Sequence, residues 1–316
     1  MRKIKNDVVV EGRVYDKSNL AIKTVTSADS KKFGQEYIGG SIDVATDDEG
    51  LNVITVYFTF IQPTYSSGKT NSTYGVLKNI IENGKTVLED GADAATLVRV
   101  TGAVGLNDYY SQRDNEEVLV STKRCIGSFA NIVPKLKDES ERNTFECDML
   151  INGTQLVSAD EERNIAEDYL IVKGATFDFR GAMLPVEFIV KSQGGIQYFE
   201  SLEVSSKNLV FTKVWGQIHS ETVVTKKEIE SAFGDSAVKE YKKTVREWII
   251  TGTAKPDNVY EIGDAEKGIT EDEIKKAISD REIYLAEKKK ADEDYRAKKN
   301  GGATAAAPAA QGGFAF

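Results

Sequence analysis

The sequence predicts a mainly β protein: two five-stranded barrels in tandem, followed by a charged C-terminal helix and a disordered tail. Three observations support this fold class. Runs of alternating apolar and polar residues recur up to residue 254. A helical segment interrupts them after the third run, and a second set of five runs follows a charged stretch. The 316 residues provide enough chain for two ordinary domains.

The first domain, residues 1–134, contains five strand-like runs and one helix that ends at a glycine. The strands are predicted at 7–15, 37–46, 53–60, 97–106 and 117–127, and the helix at 72–84. This is the order of an oligonucleotide-binding (OB) barrel, in which a helix plugs the gap between strands three and four. In that fold, the loops between strands one and two and between strands four and five hold nucleic acid.

Residues 135–143 are charged and lack periodicity, which predicts a linker. Strand-like runs then resume at 144–151, 169–179, 183–190, 208–220 and 244–252, with a helix expected at 197–204. The order of the first barrel is thus repeated, although no sequence string is shared between the halves. Residues 144–254 are therefore predicted to form a second, diverged OB-like barrel.

The C-terminal region divides into a connector with a charged helix, residues 255–299, and a tail, residues 300–316. Thr270 and Glu273 form a capping box that predicts the start of the helix. Its apolar stripe is narrow, so the helix either docks weakly on the barrels or binds a partner. The stripe consists of Ile274, Ala277, Ile278 and Leu285. The Gly/Ala-rich tail cannot form a core, and disorder is predicted for it.

Composition limits the function classes. The chain is 40% hydrophobic and 29% charged, which is typical of soluble globular proteins. No apolar run approaches the roughly 20 residues that span a bilayer, and no secretion signal is present, so a cytoplasmic protein is expected, in the host-cell cytoplasm if phage-encoded. Cys125, Cys147 and the single His219 cannot supply four zinc ligands, and neither a metal nor a cofactor is expected.

One segment resembles a phosphate-binding loop. Ser67, Gly68, Lys69 and Thr70 follow a strand and precede a helix, but Pro63 occupies the position where that motif needs glycine. Proline cannot form the donor-rich turn that holds phosphates. A single histidine also limits general-base and nucleophilic schemes. The sequence therefore predicts a protein that is not an enzyme.

Strand alternation predicts which side chains face outward. In 53–60, Ile54, Val56, Phe58 and Phe60 are expected to face the core and Tyr57 the surface. The same reasoning places Arg99 and Lys123 outside and Val118 and Val120 inside. A surface with Tyr57, Arg99 and Lys123 would combine a base-stacking ring with two phosphate partners. The alternative is an ordinary solvated face of the sheet.

Three predicted loops combine aromatic and basic residues. The segment 107–115 is predicted as a polar loop between strands. Such a loop has no core to bury a pair of tyrosines, although one of the two could fold back over the barrel end. Candidate single-stranded DNA contacts in the three loops are Tyr109, Tyr110 and Arg113; Lys31, Lys32 and Phe33; and Tyr65 and Lys69.

Two strands of the second barrel carry aromatics and a lysine on one face, where a buried face would be aliphatic. Candidate single-stranded DNA contacts on them are Lys173, Phe177 and Phe179, and Phe211, Lys213 and Trp215. The alternative is that these aromatics pack against the first barrel or a partner subunit.

The pattern over roughly residues 7–134 resembles that of phage and bacterial single-stranded DNA-binding proteins. The resemblance rests on a Gly-containing turn at Gly12, the strand 41–46, the aromatic strand 53–60, and a V-x-G-x-V strand at Val100, Gly102 and Val104. It implies DNA-binding in replication, recombination or repair. Phe314 and Phe316 resemble that family's tail, which recruits replication and repair proteins, but the acidic run is missing and Ala315 replaces proline.

The sequence therefore predicts a non-enzymatic protein that coats and protects single-stranded DNA, as in a bacteriophage. Its expected partners are single-stranded DNA and, through the tail, replication or recombination proteins; no membrane association is expected. A net charge of −9 opposes this prediction, because nucleic-acid-binding surfaces are basic. Binding, however, depends on where the basic residues lie. The alternative is a β-rich structural or assembly protein, for example of a virion, whose exposed aromatics form subunit contacts.

Overall fold

The computed structural model describes residues 4–113, 116–160, 162, 165–229, 237–255 and 260–301, with the backbone alone at 112–113, 223–229, 237–243, 295 and 298–301. The strands are β1 (Asn6–Asp16), β2 (Ala21–Thr24), β3 (Glu36–Ala45), β4 (Val53–Ile61), β5 (Leu97–Arg113), β6 (Glu116–Ile132), β7 (Asn143–Val157), β8 (Tyr169–Phe177), β9 (Met183–Val190), β10 (Val210–Ile229) and β11 (Ala237–Thr253). The helices are α1 (Ser72–Asn83), α2 (Val87–Asp90), α3 (Gln193–Ser201) and α4 (Glu271–Gly301).

The first barrel consists of β1, β3, β4, β5 and β6 and has the strand order of an OB-fold. β1 pairs antiparallel with β3 and β5, β3 with β4, and β5 with β6. A parallel contact between β4 and β6, with Val56 opposite Cys125 and Tyr57 opposite Ile126, closes the barrel. The short strand β2 pairs with β3 within the connection between the first two barrel strands.

α1 lies between β4 and β5, as the sequence predicts. The Asn71 side chain accepts a hydrogen bond from the Thr73 amide (3.1 Å) and caps the helix N-terminus. At the other end, the Lys17 ammonium donates to carbonyl oxygens of the last turn, at 2.7 Å from that of Gly84. Leu77 is fully buried in the barrel core. The helix therefore closes the first barrel with both of its ends satisfied.

The second barrel repeats the same connections. β7 pairs antiparallel with β8 and β10, β8 with β9, and β10 with β11, and a parallel contact between β9 and β11 at Ile189 and Ile249 closes it. α3 lies between β9 and β10 and begins at Gln193, four residues earlier than expected, because Ser192 caps it. The predicted fold class, tandem OB barrels with a C-terminal helix, is confirmed.

The two barrels share a continuous sheet and a continuous core. β1 and β7, the first strands of the two barrels, pair antiparallel from Asn6 opposite Cys147 to Val10 opposite Asn143. The main cluster of buried apolar residues extends through both barrels. The predicted linker 135–143 is also docked: the Lys137 amide donates to the buried Glu11 carboxylate (2.6 Å), and Arg142 pairs with Asp48 (2.7 Å).

The prediction of a loop at 107–115 is wrong over most of its length, because the antiparallel pairing of β5 with β6 continues as far as Arg113 opposite Glu116. We call residues 107–113 and 116–122 the β5–β6 arm. The polar composition of residues 107–115 is what favoured a loop at the sequence level. Val118, predicted to face the core, is exposed because the arm extends beyond the barrel, where there is no core to cover it.

α4 begins at the predicted capping box, in which the Thr270 amide donates to the Glu273 carboxylate (2.9 Å) and the Glu273 amide to the Thr270 hydroxyl (3.2 Å). Its first turns dock on the second barrel, where Ile274 and Ala277 are buried in a separate apolar cluster. Within the described residues, every helix is too short or too polar to span a lipid bilayer.

Candidate nucleic-acid interface

A groove runs between the two barrels and is lined by both. It consists of two adjoining cavities of about 250 and 640 Å³ that share the side chains of Thr122, Lys123, Arg246 and Trp248. We call it the inter-barrel groove. The first barrel contributes Tyr57, Tyr109, Lys123 and Arg124, and the second barrel contributes Lys173, Arg246 and Trp248. The predicted candidates Tyr57, Tyr109, Lys123 and Lys173 are therefore brought together.

Tyr57 faces the groove because its strand neighbours face the core. Val56 and Phe58 are buried in the first barrel, and alternation turns the ring between them outward. The guanidinium of Arg124 lies 4.2 Å from the centre of the Tyr57 ring. This cation–π contact holds the ring in place and adds a positive charge beside it.

Lys123 joins the two walls of the groove. Its ammonium donates a hydrogen bond to the main-chain oxygen of Glu187 in β9 and lies 5.3 Å from the centre of the Phe188 ring. Burial lowers the pKa of Lys123 to about 8, against the attraction of the Glu187 carboxylate, which raises it. An anion in the groove would restore the stabilisation that the charged form lacks.

The charge of the groove is opposite to that of the whole chain. Lys123, Arg124, Lys173 and Arg246 line it, and among the described lining residues the only carboxylate is that of Glu187. Within the described part of the chain, neither Arg124 nor Arg246 forms an ion pair with a carboxylate, whereas the Lys173 ammonium lies 3.9 Å from the Glu187 carboxylate. Arg246 also lines a third cavity of about 390 Å³ that continues the groove past Thr55 and Ser220, where the lining includes the Asp43 carboxylate as well. A local basic path thus exists on an acidic protein.

Trp248 forms part of the groove floor. It is buried and packs against Phe145 and Phe188, with ring centres 5.4 and 6.1 Å apart. It also lines both cavities of the groove. Its indole fluorescence should therefore respond to a ligand in the groove without Trp248 itself providing an open stacking surface.

The tyrosine pair of the β5–β6 arm is divided between two surroundings. Tyr109 is 41% exposed and lines the groove. Tyr110 points the other way, towards α4, where its hydroxyl donates to the Leu285 carbonyl oxygen (3.2 Å) and the Lys289 ammonium lies 5.6 Å from its ring centre. The prediction that Tyr110 is a free stacking residue is wrong, because α4 covers it. The side chain of Arg113 lies outside the described residues.

A second group of aromatic and basic side chains lies at the end of β4. The Tyr37 and Phe60 rings contact each other, with centres 4.5 Å apart, and the Lys32 ammonium lies 4.6 Å from the Phe60 ring centre. We call these three residues the Phe60 patch. Lys31, Phe33, Tyr65 and Lys69, also predicted, are exposed in the neighbouring loops.

Phe60 was expected to face the core, and the structure corrects this. Gly40 pairs with Phe58, but Ile38 pairs with Ile61, so β4 has one residue more than β3 between these positions. This β-bulge shifts the alternation and leaves Phe60 37% exposed. The bulge brings the ring to the same surface as Tyr37, and about 10 Å of strand separates it from Tyr57.

Several predicted contacts lie elsewhere. Arg99 pairs with the buried Glu11 carboxylate (3.4 Å), so its positive charge is neutralised within the first barrel. Phe177 is 1% exposed and, like Phe211, is buried beneath Ile269 and Ile274. The predicted parity of these two phenylalanines was right, but α4 and the segment before it cover the face. Both predictions of DNA contact are therefore wrong.

Three further candidates, Lys213, Trp215 and Phe179, lie away from the groove. Trp215 lines a separate cavity of about 650 Å³. Lys213 pairs with Glu146 (2.9 Å), and its ammonium lies 5.8 Å from the Trp215 ring centre. Phe179 is 90% exposed in the turn after β8, with Arg180 5.0 Å from its ring centre. Phe314 and Phe316 lie outside the described residues.

The sequence did not identify Arg124, Arg246, Trp248, Tyr37 or Phe60 as site residues. Arg246 has the strand parity of Trp248 and Ile250, which are both buried, so alternation gave no reason to place it on a surface. Arg124 follows Lys123 directly, and one basic residue of such a pair is expected to face away. The sequence signal that could have identified Arg124 is the local density of basic residues, since it directly follows Lys123.

Comparison with known proteins gives one family and a structural similarity. A crystal structure of a deletion mutant of the single-stranded DNA-binding protein from Thermus aquaticus is similar, with a TM-score of 0.44 and 10% sequence identity, over 83% of this chain and 98% of that one. A search of curated proteins finds no match. The YorF family model matches residues 5–291. Because this match covers most of the sequence, the chain belongs to the YorF family.

Proposed function

We propose that this protein binds single-stranded DNA in the inter-barrel groove and coats it without acting on it chemically. One observation carries the proposal: in a chain with net charge −9, four basic side chains and two tyrosines converge on one groove that only Glu187, among the described lining residues, opposes. Basic groups that follow a backbone, together with aromatic rings, are what single-strand binding requires.

The chemistry of the groove favours single strands over duplex. Tyr57 and Tyr109 offer ring faces, and bases can stack on them only when they are not already paired and stacked in a helix. The four cations would neutralise phosphates whatever the sequence, since ammonium and guanidinium groups contact the backbone. Binding is therefore expected to be largely independent of sequence and to weaken as salt is added.

The absence of enzymatic activity is part of the proposal. In the segment that resembles a phosphate-binding loop, the Tyr65 amide donates to the Lys69 carbonyl oxygen (2.8 Å) and the Gly68 amide to that of Tyr65 (2.9 Å). These amides close a tight turn and are not directed at a ligand. Asn71, which follows, caps α1. This geometry supports a structural turn between β4 and α1.

The biological setting is proposed from the sequence resemblance. It is DNA replication or recombination of a phage type, in the host-cell cytoplasm, where the protein would protect the strand and keep it unpaired. Replication or recombination proteins would bind through Phe314 and Phe316 at the end of the chain.

The central experiment measures the affinity of the full-length protein for labelled oligo-dT and for duplex of equal length over a salt series. We expect preference for the single strand and a slope of log K against log salt of about −3, at roughly 0.7 per neutralised phosphate. Arg246→Ala should lower affinity about tenfold and reduce the slope by about 0.7. Arg180→Ala removes an exposed arginine outside the groove and is the matched control.

Two results would contradict the proposal: equal affinity for duplex and single strand, or no binding at low salt. Assembly into larger particles remains the competing function, and the exposure of Phe179 and Phe129 favours it. Light scattering of the DNA-free protein addresses it directly. A large homo-oligomer that fails to bind oligo-dT would support the assembly role.

A further inference from the structure

The β5–β6 arm lies outside the barrel and needs support from elsewhere. Beyond Leu106 and Lys123, each of its two strands pairs with the other and with no further strand among the described residues. A two-stranded ribbon is at best marginally stable in water on its own. Yet this ribbon carries Tyr109, the tyrosine with the more exposed ring in the inter-barrel groove. The position of that ring therefore depends on whatever holds the arm.

α4 supplies the support through polar contacts along one side of the arm. The Arg281 guanidinium donates two hydrogen bonds to the Asp108 carboxylate (2.8 and 2.6 Å), and both side chains are largely buried. Further along, the Glu117 carboxylate pairs with Lys289 (3.0 Å) and Arg296 (3.0 Å). The Ser121 hydroxyl, from the opposite strand of the arm, also donates to Asp108 (2.6 Å).

The other end of α4 is fixed to the second barrel. Ile274 and Ala277 are buried with Phe177 and Phe211, whose strands belong to that barrel. From Ile274 to Arg296 the helix rises 22 residues, or about 33 Å at 1.5 Å per residue. α4 therefore connects the body of the second barrel to the arm of the first.

Strand alternation links this support to the groove. Asp108 and Tyr110 contact α4, whereas Tyr109 between them points to the groove. We infer that Arg281 is a positioning residue for single-strand binding: by clamping Asp108, it fixes the backbone from which Tyr109 projects into the groove. The inference rests on the proposed function and adds to it that α4 controls one wall of the site.

The test compares Arg281→Ala, Arg281→Lys, Tyr109→Ala and the double variant Arg281→Ala with Tyr109→Ala, all in the full-length chain. Lys276→Ala is the matched control, because Lys276 pairs only within α4 among the described residues. Two quantities are measured: hydrogen exchange of the arm amides relative to barrel amides, and affinity for oligo-dT.

We expect Arg281→Ala to speed exchange in the arm at least tenfold while amides in β8 keep their rates, and to weaken oligo-dT binding about as much as Tyr109→Ala. The double variant should bind no more than about twofold more weakly than Tyr109→Ala, because both changes remove the same contact. Arg281→Lys should recover part of both readouts, since lysine supplies one hydrogen bond in place of the paired contact.

Unchanged exchange in the arm, or fully additive losses in the double variant, would overturn the inference. A general rise in exchange throughout both barrels would also overturn it, since Arg281 would then only stabilise the fold. Failure of the wild-type protein to bind oligo-dT would refute the proposed function instead. In that case the exchange data alone still decide whether Arg281 clamps the arm.

Discussion

At the scale of single residues, the groove contains side chains whose surroundings set different roles. The Tyr57 ring is half-buried, with Arg124 over its face, and it is not part of the hydrophobic core of the barrel. Its neighbour Phe58 is fully buried and touches no solvent. Replacing Tyr57 should therefore affect binding, and replacing its neighbour Phe58 should affect stability. The two variants provide a test within a single strand.

Tyr57→Ala should weaken oligo-dT binding by about 1–3 kcal/mol, the range for loss of one stacked base, and leave the melting temperature nearly unchanged. Phe58→Ala should do the opposite and lower the free energy of unfolding by about 3–5 kcal/mol, because it leaves a cavity in the core. Affinity titrations and thermal unfolding of both variants check this. Unfolding of Tyr57→Ala would show that the ring supports the barrel.

Lys123 should make binding depend on pH. Burial lowers its pKa to about 8, so its charge is lost as pH rises from 7 to 9. We expect oligo-dT affinity to fall over this range and the salt slope to shrink by about 0.7. Lys123→Met should abolish the change, whereas Lys135→Met, an exposed lysine of the segment 135–143, should retain it.

The same group affects stability with a defined sign. The folded-state pKa of Lys123 lies below its ordinary value of 10.5, so the unfolded chain binds more protons between about pH 8 and 10.5. The contribution of Lys123 to the free energy of unfolding should therefore rise with pH across that window. Denaturant titrations of wild-type and Lys123→Met protein at pH 7.5 and 10 measure the difference.

Strand alternation was sufficient to predict the outward position of Tyr57, because Val56 and Phe58 beside it are buried in a regular stretch of β4. It did not predict the surroundings of Lys123, which was expected to face outward but has the strand parity of the buried Cys125 and a pKa that burial lowers. Alternation failed at Phe60, because a bulge in β4 shifts which residues face the core. It also failed at Arg246, which is exposed although Trp248 and Ile250, on the same side of β11, are buried. Arg99 was placed on the correct face, but its buried partner Glu11 comes from a different strand. Sequence patterns within a strand cannot supply such partners.

At the scale of elements, the barrels and both barrel helices follow local sequence signals, and the arm and α4 depend on each other. Neither the arm nor the polar half of α4 has an apolar face large enough to fold alone. Their contacts join residues about 175 positions apart, such as Tyr110 and Leu285. This explains why the arm was predicted as a loop and why the docking of α4 was left open.

The capping box offers a way to weaken α4 from its far end. Thr270→Ala removes the hydroxyl that accepts from the Glu273 amide and should cost about 0.5–2 kcal/mol of helix stability. Thr270→Ser retains the hydroxyl and is the control. Hydrogen exchange across α4 should rise in the alanine variant alone. Equal exchange in the two variants would show that packing of Ile274 and Ala277 suffices to hold the helix.

At the scale of the whole molecule, the ladder between β1 and β7 and the continuous core make the two barrels one folding unit. Val8 of the first barrel lies opposite Phe145 of the second, and both are buried in the same cluster. We expect a single cooperative unfolding transition, with agreement between calorimetric and van't Hoff enthalpies. Two transitions would mean that the barrels fold independently despite the shared ladder.

The pairing of β1 with β7 also has a consequence for how long single-stranded DNA would stay bound under the proposed function. Both walls of the inter-barrel groove belong to one polypeptide, so dilution cannot separate them as it would separate two subunits. Under the proposed function, a nucleotide that leaves Tyr57 would remain tethered beside Lys173 and Arg246, at an effective concentration in the millimolar range that short connections provide. Release of the bound DNA would then require both walls of the groove to lose their contacts at the same time, so the complex would be long-lived although each contact is weak.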